Sequence, residues 1–142
     1  MSALTKDRNT PKRDGDFKVD GVAASTRIFT GALLMRNAAG FLVKGATATG
    51  CTGVGRAEEA VDNTGGANGA AQVKYRPGIF LFANLGADLI DQADMGKLCY
   101  IVNDQTVAAS DGTGTRSPAG FVEALDDWGV WVRFDEAVTR GA

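Results

Sequence analysis

The cleanest alternation of apolar and polar positions lies in Ala119–Asp135, which reads A-G-F-V-E-A-L-D-D-W-G-V-W-V-R-F-D. Val130, Val132 and Phe134 fall on one side, with Trp131 and Arg133 on the other. That period of two marks a strand with one buried face. Just before it, Asp126-Asp127-Trp128-Gly129 is turn chemistry, because Asp bonds its own backbone and Gly accepts positive φ. The stretch predicts a β-hairpin whose Val/Phe face the rest of the chain must cover.

The same reading applies upstream. Ile28, Phe29 and Leu33-Leu34-Met35 form an apolar run, Asn37-Ala38-Ala39-Gly40 a turn, and Phe41-Leu42-Val43 a second run. A hairpin fits better than a helix, since Gly31 and Gly40 would each cost a helix about 1 kcal/mol. Val54–Val61 predicts a strand with a polar outer face, and Asp62–Gly69 (D-N-T-G-G-A-N-G) a loop. Ala71–Ala83 predicts two strand segments around Arg76-Pro77-Gly78, where Pro77, lacking an N–H, marks an edge, bulge or corner. Asn84–Met95 predicts a short helix with Leu85, Leu89 and Ile90 on one face, ended by Gly96. Leu98–Val102 and Thr106–Ala109 are strands about the turn Asn103-Asp104-Gln105; Ser110–Pro118 is an exposed loop and Glu136–Ala142 a tail.

About nine or ten short strands at this turn spacing argue a mainly β chain, a small single-domain barrel or sandwich of antiparallel strands with one short helix. Met1–Ser25 differs. Lys6, Arg8, Lys12, Arg13 and Lys18 interleave with Asp7, Asp14, Asp16 and Asp20, and only Leu4, Phe17, Val19 and Val22 are apolar anchors. Such a segment cannot offset its own ordering entropy. It is either a loose tail or an arm that orders on a neighbouring subunit, with Phe17 and Val19 as its pegs. The division is thus an extended arm over residues 1–25 and a β-rich domain over 26–142.

Composition narrows the function classes. The chain has 142 residues, 44% of them apolar, so a sizeable core is within reach. Fifteen Lys/Arg against seventeen Asp/Glu leave no basic surplus for a nucleic-acid backbone. No apolar run approaches the about eighteen residues of a membrane span, and Lys6-Asp7-Arg8-Asn9 interrupts any signal-peptide core, so assembly in a cytoplasm is expected. Cys51 and Cys99 are expected to be free thiols.

Histidine is absent, which removes the usual general base and the commonest metal ligand. Cys51, near Arg56, is a conceivable activated thiolate without an identifiable base. Gly50-x-x-Gly53-x-Gly55 faintly resembles a phosphate loop, but Glu58 stands where a small residue belongs, and a flexible inter-strand loop is the better reading. Glu58 and Glu59 would point to opposite faces of a strand. Asp88, Asp91 and Asp94 lack the spacing of a calcium loop and read as a solvated helix face. No enzyme activity and no cofactor are expected. Trp131 beside Arg133 remains as a sugar or protein contact, or a patch covered by the arm.

The order of segments carries a resemblance. Gly31–Val43 (G-A-L-L-M-R-N-A-A-G-F-L-V), Val54–Ala57, Asp62–Gly69, Pro77–Phe82, Met95–Val107 (M-G-K-L-C-Y-I-V-N-D-Q-T-V) and Ala119–Phe134 follow one another as in the small tailed-phage capsid cement, or head-decoration, proteins. The chain resembles that group over about Gly31 to Phe134, with a longer and more charged start. The resemblance implies a β-rich virion protein, often a trimer, seated on the outer surface of an icosahedral head. Its implied partners are the major capsid protein, its own copies and neighbouring cement subunits, without nucleic acid or membrane. Leu4, Phe17, Val19, Arg27, Trp128, Trp131 and Arg133 are the candidate contact residues. The alternative is a surface-displayed module that uses Trp128 and Trp131 to grip a glycan or host-cell surface; a hydrolase of unrecognised carboxylate type ranks behind both.

Overall fold

The computed structural model describes residues 2–10, 13 and 16–142, and these form twelve strands and one short α-helix. The chain is mainly β, as its alternation predicts. β1 (Lys18–Gly21), β3 (Leu33–Arg36), β4 (Leu42–Lys44), β5 (Thr52–Ala57) and β7 (Gln72–Arg76) make a five-stranded sheet in the order β1-β7-β5-β3-β4. β2 (Arg27–Ile28) and β6 (Val61–Asp62) pair beside it. β8 (Gly78–Asn84), β9 (Leu98–Ile101), β10 (Thr106–Ala108), β11 (Pro118–Asp126) and β12 (Gly129–Phe134) close a barrel in the order β10-β8-β12-β11-β9. Only the β8–β10 pair of the barrel is parallel.

The predicted hairpin is β11–β12, with Asp126 opposite Gly129. Val130, Val132 and Phe134 are buried in the barrel with Phe82, Ile101, Val107 and Val122, while Trp131 and Arg133 face outward. Each fully buried side chain of this size contributes about 1.5–3 kcal/mol. The hairpin expected around Asn37–Gly40 is β3–β4, and the strands about Asn103–Gln105 are β9 and β10. A second core gathers Val22, Ile28, Leu34, Leu42, Val54, Val73 and Tyr75. β3 serves both: Leu33 and Met35 enter the barrel core and Leu34 the second.

Glycine joins the two bodies. A Cβ on Gly53 would sit 2.1 Å from the Ala119 carbonyl oxygen of β11, across the junction, and one on Gly55 (φ +148°) 2.2 Å from that of Arg76 on β7 of its own sheet. Neither distance is sterically possible, so backbone packs on backbone here. The Gly50–Gly55 pattern therefore belongs mostly to the buried strand β5, not to a flexible loop. Pro77 is the corner where β7 of the sheet becomes β8 of the barrel.

Four expectations are corrected. No α-helix forms across Asn84–Met95, only single 3₁₀ turns at Gly86–Asp88 and Gln92–Asp94. The Asn84 side chain bonds both N–H and C=O of Ile90 at 2.9 Å, drawing Ile90 into the barrel core and leaving Leu89 exposed. The short helix is instead α1 (Glu136–Arg140), where a tail is expected; Asp135 caps it by accepting from Val138 N. Val54–Val61 is not one strand, because the chain leaves the sheet at Glu58, which pairs with Arg56 at 2.8 Å. At the other end, the folded body starts at Lys18: β1 pairs with β7, and Val22 and Ala23 are buried.

Two polar clusters fix the periphery. Arg36 donates to Asp20 (2.6 Å), to both oxygens of Glu136 (2.8 and 3.3 Å) and to the Tyr75 hydroxyl (3.2 Å), tying β1, β3, β7 and α1 together. Asp88 accepts from the Ser110 hydroxyl and from Arg116 Nη1 (2.8 Å), pinning both ends of the Ser110–Arg116 loop.

Candidate interaction surface

Strand pairing assembles an apolar wall outside the barrel. On β12, Trp131 lies opposite Leu81 of β8 and Ala124 of β11; Arg133 lies opposite Ile79 of β8 and Phe121 of β11. Phe121 in turn pairs with Leu98 of β9. Residues opposite one another across a sheet share a face. Two rows result, Leu81–Trp131–Ala124 and Ile79–Arg133–Phe121–Leu98. Ile79 is 45% and Leu81 38% exposed, although both sit mid-strand among large side chains. A contiguous apolar sheet face left open in this way marks a contact site more than scattered exposed residues do.

Its polar groups are held in place. Trp131 Nε1 donates to Asp126 Oδ2 at 2.7 Å, while the other oxygen of Asp126 accepts from Trp128 N at 2.8 Å. The bond from Trp131 chiefly, then that from Trp128, keeps the Asp126 carboxyl below the usual carboxylate range. The Arg133 guanidinium stands 5.6 Å from the centre of the Phe121 ring. An ordered indole and a cation over an aromatic ring give a surface that loses little side-chain entropy on docking. Trp128, at the turn, is 79% exposed.

Trp131 and Arg133 thus sit together, with Trp128 at the tip of the same hairpin. Ile79, Leu81 and Phe121 complete the wall and were missed in sequence, although Ile79 and Leu81 alternate with the inward Phe80 and Phe82. The other candidates lie elsewhere. Phe17 is 42% exposed, with Lys74 Nζ and Arg76 Cζ 4.3 and 4.0 Å from its ring centre. Val19 is half exposed on β1, opposite Lys74. Arg27 lies on β2, 5.1 Å from the ring of Phe29 and paired with Asp62 in register. Leu4 is exposed.

The reactive-group candidates have structural explanations. Burial raises the Cys51 thiol and pushes Cys99 up to about 12, the reverse of thiolate activation. Both thiols are free. Glu58 holds Arg56, and Glu59 accepts from Lys74 N at 3.1 Å. Asp91 and Asp94 cap one 3₁₀ turn reciprocally, while Asp88 is engaged by Ser110 and Arg116. Among the described residues no three ligating side chains converge as a metal site.

No protein-family model, curated protein or solved structure matches the chain.

Proposed function

We propose that this chain is a structural clamp of the capsid-cement kind, which binds the outer surface of an icosahedral phage head as a trimer and stabilises adjacent capsomers. The observation that carries the reading is the outer wall of the barrel. It places Ile79, Leu81, Trp131 and Phe121 on a rigid closed sheet, with Arg133 to set orientation. The ordered motif resemblance points the same way. Such a wall supplies the apolar centre of an interface; a specific contact needs about 1,000 Å² or more in total, so loops and the N-terminal segment would add the rest. Repetition over a shell multiplies modest contacts.

The test has two parts. Mass measurement of the free protein should give a trimer, and cosedimentation with empty tailed-phage heads stripped of decoration should give a bound fraction. Trp131→Ala with Leu81→Ala should abolish head binding while leaving the fold intact, since neither side chain enters a core. A monomer that leaves every head unbound, or a double variant that binds as well as the parent, would reject the reading. Deletion of residues 2–16, stopping short of β1 and Phe17, should weaken shell binding; unchanged occupancy would leave the arm without a role. A second reading, glycan or host-surface binding, rests on Trp128 at the hairpin tip; retention on a glycan array that Trp128→Ala removes would favour it.

A further inference from the structure

β4 ends the five-stranded sheet, and the hydrogen bonds at its two ends define its alternation with β3. Gly45 N donates to Leu33 O at 2.8 Å, and Asn37 N to Phe41 O at 2.9 Å. Between them Leu34 lies opposite Lys44, Met35 opposite Val43 and Arg36 opposite Leu42. The pairs that exchange bonds are therefore 33/45, 35/43 and 37/41, and Leu42 and Lys44 turn their N–H and C=O away from β3. The Leu42 carbonyl is used, accepting from Ala23 N at 2.9 Å. The backbone of Lys44 has no such partner among the described residues.

That unused edge opens on a groove of about 530 Å³. Met35, Val43, Ala48 and Cys51 supply its apolar side and belong to, or pack on, the barrel core; Arg27 and Lys44 supply its charge. No Asp or Glu lines it, in a chain whose net charge is −2. Asp62, across from Arg27, has its carboxylate engaged by Thr64 N at 3.0 Å. Val43 and Lys44 are successive strand residues, so the apolar and cationic sides fall on opposite faces of the edge.

We propose that this groove docks an extended segment of a partner protein in which apolar and acidic residues alternate. The segment adds to β4 as a strand. Its backbone pairs with the N–H and C=O of Lys44, an apolar side chain settles on Met35 and Val43, and a neighbouring carboxylate meets Arg27 and Lys44. A strand's own alternation delivers those two side chains to the two faces. The N-terminal segment of a second copy is the poorer occupant, because Lys6, Arg8, Lys12 and Arg13 outnumber Asp7, Asp14 and Asp16. The inference stands apart from the shell-binding reading, since β4 is not a strand of the barrel wall.

The test titrates the isotopically labelled full chain with the peptide acetyl-Val-Glu-Val-Glu-Val-amide, read by amide chemical shifts. Shifts are expected at Thr26, Arg27 and Val43–Ala46, with affinity falling as salt is raised. Lys44→Glu combined with Arg27→Glu should weaken binding about tenfold or more with an unchanged circular dichroism spectrum, both side chains being exposed. N-methylation of the central peptide nitrogen, which removes a ladder donor, should abolish it. No shifts at millimolar peptide, equal binding of a peptide with Lys in place of Glu, or shifts confined to the Ile79–Leu81 wall would each overturn the proposal.

Discussion

The barrel takes all its strands from one continuous stretch, residues 78–134, and each has hydrogen-bonding neighbours on both sides. The five-stranded sheet takes its strands from residues 18–76 in the shuffled order β1-β7-β5-β3-β4, and among the described residues its end strands β1 and β4 each pair with a strand on one side only. Closure leaves a barrel little backbone to offer, so a partner would recognise it mainly through side chains, such as those of the Trp131–Leu81 wall. The sheet is stitched where Val22 bridges Leu42, but the edge beyond stays open at Lys44 and can be recognised through backbone as well. A surface of side chains and an open backbone edge thus share one small chain.

The two bodies share β3 and meet at Gly53, so they are expected to unfold as one unit, and the largest effect is expected at their junction. Gly53→Ala would force a methyl into the Ala119 carbonyl, and the expected cost is about 3–5 kcal/mol, read from urea unfolding. A cost below about 1 kcal/mol would mean the backbones are not in contact there.

Next in size are the cores. Ile101→Ala in the barrel and Leu34→Ala in the second core should each cost about 3 kcal/mol. Because β3 contributes to both cores, each variant should still unfold in one transition by fluorescence and circular dichroism alike. Two separated transitions would show the bodies to be independent.

The smallest effect concerns the Arg36 cluster. Burial raises the Asp20 and Glu136 carboxyls, but the hydrogen bonds from Arg36, joined at Glu136 by Arg140, outweigh it and hold both below their ordinary values of 3.8 and 4.5. A carboxyl lowered on folding stabilises the fold above its unfolded value, and that contribution is lost as pH falls through the folded one. Unfolding midpoints should therefore drop below about pH 5, and Glu136→Gln should flatten that acid limb. A variant with the parent's pH profile would remove α1 from the stability of the sheet.

What could be read in sequence follows from the range of the forces involved. The β3–β4, β9–β10 and β11–β12 pairs were legible because each turn and its alternation lie within a few adjacent residues. The inward set Val130, Val132 and Phe134 and the outward pair Trp131 and Arg133 came from the same signal. The helix expected across Asn84–Met95 failed because one side chain, Asn84, outbids local spacing by bonding Ile90. Gly53 could not be understood alone, since its reason lies at Ala119, on another strand. Half of the wall is visible in sequence: Trp131 and Arg133 alternate with an inward set, whereas Ile79 and Leu81 lie in an unbroken apolar run that assigns no face, which their partners on β12 supply.

The loop from Ser110 to Arg116 is gripped at its base by Asp88, and its tip reads Asp111-Gly112-Thr113-Gly114-Thr115. The tip is also knit together, Thr115 N and Arg116 N donating to Asp111 O at 2.9 and 3.0 Å, so lengthening it costs those bonds plus the slow logarithmic growth of closure entropy, about 0.6 kcal/mol per doubling. A foreign epitope spliced there would give up the bonds of the tip while Asp88 still holds both ends of the loop.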